Sequence, residues 1–239
     1  MKVNGQDFQF GMEAEVHSFQ VSPEGKISTY ALADWFQEIA WRHANSAGFG
    51  TNLSENHQMW ALARLAIKAE KRPAWGETMK IYTAGRGVNK IFAFREFLLT
   101  DLDGNPLVTG MSSWLLLDSV SKRPQRPESV LPKELFDPEL KPMWEPEKVQ
   151  AQGEIKNQIH IQVKPSDLDL NRHVNNTIYI RWAEDLIIQA GLEPKFCGIN
   201  YLSECHLNDE VTLELFESEG DFFVEGKVKE KRVFSSHWA

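Results

Sequence analysis

The sequence predicts an α+β chain of two similar units, each a long helix followed by a run of strands. Three observations predict it. Two apolar stripes at helical spacing stand far apart in the chain, each introduced by a polar stretch. Runs of strand character, separated by turn residues, follow each stripe. Between the two sets, six of the eleven prolines crowd into residues 124–146. Proline removes a backbone donor, so this stretch cannot be sheet interior and reads as a semi-rigid linker.

Residues 7–21 alternate loosely and predict a first strand, and Pro23-Glu24-Gly25 a turn. The first helix is expected from Ser28 or Thr29 to about Ala44, with Gly48 beyond its end. Leu32, Trp35, Phe36, Ile39 and Ala40 follow the i, i+3, i+4 pattern. His43 extends that stripe, which reads as a core histidine rather than a catalyst. Burying the four large residues contributes roughly 1.5–3 kcal/mol each as an upper estimate, so this helix is a core element. Residues 45–58 are polar and irregular, and read as a connection with some lid function. Strands are expected over 60–69, 78–85, 90–100 and 107–117, the last two joined by a hairpin through 101–105.

The order then repeats. A strand is expected over 156–163, followed by a polar motif. A helix is expected over 176–190, with Tyr179, Trp182, Ala183, Leu186 and Ala190 on one stripe and Gly191 ending it. Strands follow over 199–207, 210–217 and 222–229. The expected domains are therefore 1–120 and 153–239, with 121–152 as the linker.

The 239 residues carry a net charge of −8 and 42% hydrophobic residues. The charge argues against nucleic-acid binding. The sequence has no apolar run long enough to span a bilayer. The N-terminus shows no signal-peptide core and no transit-peptide character, so a cytoplasmic protein is expected. The two cysteines, Cys197 and Cys205, fit no zinc spacing and read as reduced thiols.

The polar motif is the stretch from Ser166 to Asn176, Ser-Asp-Leu-Asp-Leu-Asn-Arg-His-Val-Asn-Asn. In an extended segment Asp169, Asn171 and His173 project to one face, while Leu168 and Leu170 anchor the other. An acid, an amide and an imidazole then converge at the mouth of a helix, a place to activate water and hold an oxyanion. The bland reading is a turn with Asn175 or Asn176 as helix cap. A calcium loop is excluded, because its Gly and Glu positions hold Arg172 and Ile178.

The string Asp-x-Asn-x-His-Val-Asn-Asn, followed by Tyr179 and Trp182 on a helix, resembles the signature of the acyl-acyl carrier protein thioesterases, plant and bacterial. The stretch Gly198-Ile199-Asn200-Tyr201-Leu202-Ser203-Glu204-Cys205 is similar to that family's second catalytic strand. The resemblance implies two tandem hot-dog domains, each a long helix wrapped by an antiparallel sheet. It also implies hydrolysis of the thioester between a fatty acyl chain and acyl carrier protein. Plant relatives carry plastid transit peptides, so a bacterial member or a trimmed form is expected. A hot-dog acyl-CoA thioesterase and a non-catalytic acyl-binding hot-dog protein are the alternatives.

Two mechanisms fit these residues. Cys205 could attack as a thiolate activated by His173, with Asn171 orienting the imidazole. Alternatively, Glu204 or His173 activates water. On a regular strand Glu204 and Cys205 face opposite ways. Cys205 shares parity with apolar Ile199, Tyr201 and Leu207, and Glu204 with polar Asn200 and His206, which favours Glu204. The amides after Asn175 and Asn176 would hold the oxyanion, with Asn171 as a further donor. Asp169 would orient His173 or Asn171. No metal or organic cofactor is expected.

The partner would be acyl carrier protein, itself acidic. Docking would then need a basic cluster, Arg64, Lys68, Lys71 and Arg72 or else Lys122, Arg123 and Arg126. A tandem chain can be a monomer or a homodimer. Aligning Trp35 with Trp182 sets Ser22, Glu24 and Lys26 against Asp169, Asn171 and His173. Aligning Gly76 with Asp209 sets Lys71 and Arg72 against Glu204 and Cys205. The first unit thus lacks the catalytic groups, and its aromatic helix, with Trp35, Phe36 and Trp41, suits substrate holding.

Overall fold

The computed structural model describes residues 1–46, 53, 56–131, 135 and 140–239. Of the expected lid-like connection over 45–58, residues 47–52, 54 and 55 lie outside them. The chain divides into two compact units, Met1–Pro146 and Glu147–Ala239. The boundary falls inside the stretch expected as a linker. Side-chain contacts explain why: Arg64 donates to the Pro146 carbonyl, Asn89 to Glu145, and the Lys68 ammonium lies over the Trp144 ring.

The first unit is built on α1 (Thr29–Ser46). Ser28 starts it: its carbonyl accepts from the Leu32 amide, and its hydroxyl from that of Ala31 at 3.4 Å. Leu32, Phe36, Ile39, Ala40 and His43 are buried on one face, with Trp35 half-buried. Trp41, grouped with this aromatic face by the sequence reading, is 62% exposed. Two residues beyond Ile39 the helix has turned about 200°, which takes Trp41 off the stripe. His43 is a core histidine: Arg95 Nη1 lies 3.0 Å from its Nδ1, and its ring stacks on Phe10. Burial first, then the neighbouring guanidinium, push its imidazole down to about 4.

A small hairpin joins β1 (Lys2–Val3) to β2 (Gln6–Asp7). The sheet of this unit holds β3 (Phe10–Glu15), β4 (Gln58–Ala69), β5 (Thr78–Asn89), β6 (Phe92–Thr100) and β7 (Pro106–Asp118). Their spatial order is β3-β5-β6-β7-β4, antiparallel throughout. A two-residue β8 (Pro124–Gln125) pairs with β7. The expected strand over 7–21 ends at Glu15, because the 3-10 turn Ser18–Gln20 follows, closed by the Gln20 side chain on the His17 amide.

The second unit repeats this plan with β9 (Glu154–Gln162), α2 (Asn176–Gln189), β10 (Phe196–Tyr201), β11 (Glu210–Ser218), β12 (Asp221–Val228) and β13 (Lys231–Trp238). The spatial order, β9-β11-β12-β13-β10, is that of the first unit strand for strand, again antiparallel. Tyr179, Ile180, Trp182, Ala183, Leu186 and Ile187 form the buried face of α2. Gly191, in the left-handed region at φ 77°, ends it, and the Leu192 amide returns to the Ile187 carbonyl.

Two expectations need correction. β13 was not anticipated: its buried run holds Ser235 and Ser236, which hide the apolar pattern. Those hydroxyls are satisfied within the sheet, on Glu225 and the Val224 carbonyl. The strand expected over 199–207 stops at Tyr201, because the Leu202 and Ser203 amides both turn to the single Val233 carbonyl. Glu204 and Cys205 therefore lie on a loop, and strand parity does not govern them.

Candidate active site

The polar motif folds as a tight turn, not as an extended strand. Leu168 bridges Val174, the Asp169 amide donates to the His173 carbonyl at 2.8 Å, and the Arg172 amide to the Asp169 carbonyl at 3.0 Å. Arg172 sits in the left-handed region at φ 63°. One Asp169 carboxylate oxygen accepts from the amides of Asn171 (2.8 Å) and His173 (3.2 Å). Asp169 thus orients both residues through their backbone, leaving the imidazole to another partner. Leu170, expected to anchor a core, is fully exposed, because a turn does not alternate faces. Asn171 is exposed and His173 half-buried.

The turn is held from below by Asp167, which the sequence reading passed over. Asp167 is buried. Its carboxylate accepts from the Lys164 amide and from Arg181 Nη2 at 2.7 Å, and its carbonyl from the Asn175 amide. Arg181 lies on α2, so this pair ties the turn to the helix. Asn175 caps the helix, accepting from the Thr177 amide at 3.3 Å, and its carbonyl takes the Ile178 amide. Of the first-turn donors expected for an oxyanion, these two are committed. The Asn176 amide is left without a partner among the described residues.

The facing group comes from the loop after β10. Glu204 Oε1 lies 3.4 Å from His173 Nδ1. Cys205 is wholly buried. Its amide donates to the Tyr179 hydroxyl at 2.9 Å and its carbonyl accepts from the Val174 amide at 3.0 Å. Tyr179 on α2 therefore fixes the loop that presents Glu204, a role its place on the apolar stripe did not reveal. Burial pushes the Cys205 thiol up to about 11, against a lowering contribution from the Tyr179 hydroxyl. A thiol so placed is protonated near neutral pH. Burial also raises the Tyr179 phenol well above its ordinary range. Among the described residues both cysteines are buried and neither is in a disulfide.

Beside Glu204 stands His206, whose ring meets that of His173 edge-on, with centroids 5.1 Å apart. The sequence marked it only as polar parity. A groove of about 760 Å³ opens here, lined by Glu204, His206, Asp209, Lys229, Glu230 and Lys231 among others.

The first unit holds the same backbone frame without the chemistry. The Ser22 amide donates to the Lys26 carbonyl and the Gly25 amide to the Ser22 carbonyl. Gly25 takes the left-handed place of Arg172, and Val21 bridges Ile27 as Leu168 bridges Val174. On the second loop, the Ile27 amide donates to the Pro73 carbonyl as Val174 does to Cys205. Gly76 and Asn208 share the left-handed position, at φ 81° and 69°. The expected alignment was therefore one residue off: Arg72 stands for Glu204, Pro73 for Cys205 and Ala74 for His206. A left-handed turn residue, glycine in one copy and asparagine in the other, sets this register.

The model of the acyl-ACP thioesterase N-terminal domain matches residues 7–135, and that of the acyl-ACP thioesterase C-terminal domain matches residues 150–232. The chain is 28% identical over 218 residues to the oleoyl-acyl carrier protein thioesterase 1 of Arabidopsis thaliana, covering 82% of this chain and 60% of that protein. It is 27% identical over 216 residues to a dodecanoyl-[acyl-carrier-protein] hydrolase of Cinnamomum camphora, covering 81% and 55%. The chain thus spans about 60% of the length of the first of these relatives. An acyl-ACP thioesterase structure from Bacteroides thetaiotaomicron superposes with a TM-score of 0.85, at 25% identity and 96% coverage of both chains. The 12:0-ACP thioesterase of Umbellularia californica shares the fold, with a TM-score of 0.81 at 20% identity over 96% of this chain and 95% of that one. The hot-dog architecture expected of both units is the one these structures share. Among the described residues no helix is long and apolar enough to cross a membrane.

Proposed function

The chain belongs to the acyl-ACP thioesterase family, and on that premise we propose that it hydrolyses the thioester of fatty acyl-acyl carrier protein, releasing the fatty acid and the carrier thiol. The observation that carries the mechanism is the meeting of His173 and Glu204 at 3.4 Å beside a buried, protonated Cys205. Water is the nucleophile. His173, steadied by the Glu204 carboxylate, takes a proton from it as the water oxygen attacks the thioester carbonyl. The Asn176 amide and the Asn171 side chain hold the resulting oxyanion. Collapse breaks the C–S bond, and the proton on His173 goes to the departing thiolate. Cys205 forms no acyl-enzyme.

Of the two basic clusters considered for docking an acidic carrier, Arg64, Lys68 and Arg72 are engaged inside the first unit. Lys122, Arg123 and Arg126 are exposed and suit docking better. The first unit, with Ser22, Lys26 and Arg72 in place of the catalytic groups, serves to hold substrate. Thiol release from acyl carrier protein and CoA thioesters, measured side by side, tests the reading. Faster release from the carrier protein supports it. Preference for CoA makes the chain an acyl-CoA thioesterase, and no release from either overturns hydrolysis.

A further inference from the structure

We propose that His173, Glu204 and His206 form a binding site for a divalent transition-metal ion of the zinc class, and that filling it shuts off hydrolysis. A ring nitrogen of each histidine and a carboxylate oxygen of Glu204 lie within 4.8 Å of one another. Two imidazoles and one carboxylate are a donor set that zinc and its neighbours take, at about 2.0–2.2 Å per ligand. Donors at that length stand roughly 3.3–3.6 Å apart around a tetrahedral ion. His173 Nδ1 and Glu204 Oε1 already stand 3.4 Å apart. Closing the site needs only a swing of His206, which is exposed. Calcium and magnesium prefer oxygen donors and are disfavoured by the two imidazoles.

The backbone aims these ligands before any ion arrives. Glu204 and His206 flank Cys205, whose amide and carbonyl are tied to Tyr179 and to Val174. The His206 amide is tied in turn to the Asp209 carboxylate at 2.8 Å. Lys229 and Lys231 line the same groove and oppose a cation, while Asp209 and Glu230 offset them. The matching places in the first unit hold Lys26, Arg72 and Ala74, which supply neither an imidazole nor a carboxylate. A metal on Nδ1 forces the ring proton onto Nε2, so His173 has no free lone pair for the proton of water, and it draws Glu204 away from the imidazole. That shut-off rests on the hydrolytic reading above; the binding does not.

Chelator-stripped protein, titrated with Co²⁺ by visible absorption and with Zn²⁺ by calorimetry, tests the site. The expected result is one ion per chain, with Co²⁺ bands that Zn²⁺ abolishes. His206→Ala should weaken binding by more than the roughly 10–100-fold that losing an outer-shell partner costs. It should keep its metal-free turnover and resist Zn²⁺, which stops the wild-type protein. His206→Asn replaces it should the alanine variant not fold. No ion bound by the wild type, or binding indifferent to His206, overturns the site. Zn²⁺ bound through His206 with turnover unchanged overturns the shut-off. An ion bound through His206 in a protein that cleaves no thioester leaves the site standing and removes the hydrolytic reading instead.

Discussion

The Glu204 carboxylate meets the His173 imidazole at 3.4 Å, each residue carried by a loop and neither by a helix or strand. Replacing Glu204 by Gln keeps the shape and removes the charge that steadies a protonated imidazole. Turnover should fall about 10²–10⁴-fold if the pair moves the proton. Glu204 is half exposed, so circular dichroism and thermal unfolding should match the wild type. Near-normal turnover in this variant would take Glu204 out of the mechanism.

Cys205 lies against Glu204 in sequence and apart from it in environment. Cys205→Ala should keep most of its hydrolysis and lose about 1 kcal/mol of stability, the ordinary cost of trimming a buried side chain. Intact-mass measurement after rapid quenching should find no acyl group on the wild-type sulfur. An adduct there would make the thiol the nucleophile.

Asp167 supports the site without touching substrate in this scheme. Asp167→Asn keeps one acceptor and loses the charge that holds Arg181, so stability should fall by about 1–3 kcal/mol. The turn would loosen where it presents His173, so kcat should drop with little change in KM. Urea unfolding and steady-state kinetics on the same preparation check both. A variant with native stability would show that the buried pair contributes little.

His43 makes the first unit sensitive to acid. Its folded pKa, about 4, lies below the ordinary histidine value of 6.5. Between those values the unfolded chain binds a proton that the folded chain refuses, so stability falls as pH drops from about 6.5 to 4. The loss on this account is on the order of 2 kcal/mol, after discounting for residual solvent screening. His43→Gln keeps an acceptor for Arg95 and should flatten this part of the profile. Urea midpoints for both proteins from pH 4.5 to pH 7 measure it. Parallel profiles would remove His43 as the cause.

Both helices were legible because their stripes run over several turns and dominate any local preference. Trp182, Leu186, Phe36 and Ile39 sit where the 3.6 period puts them. The hairpin strands were legible through their turn residues, and β13 was not, because Ser235 and Ser236 are buried polar groups that only strand pairing satisfies. The candidate site was legible as a cluster of residues, but its shape was misread. Alternation predicts faces only on an extended chain, and Asp169 bends the motif by accepting two of its amides. Glu204 was favoured on strand parity, yet it sits on a loop and reaches His173 because Tyr179 and Val174 pin Cys205 beside it. Contacts between residues this far apart in sequence leave no periodic trace.

The duplicated turn frame bears on how such a chain can be re-engineered. The peptide path through Ser22, Gly25 and Lys26 carries the same amide-to-carbonyl links as the path through Asp169, Arg172 and His173. Backbone shape is thus common property of the two halves, and side chains at a handful of positions distinguish the candidate site from its counterpart. Grafting Ser22→Asp, Lys26→His and Arg72→Glu onto the first frame needs no new loop and no new turn. The glycines at 25 and 76 already hold their left-handed conformations without the crowding that Arg172 and Asn208 bear. At these two turn positions the first frame is the less strained template, and a graft there starts from spare conformational tolerance that Arg172 and Asn208 do not have.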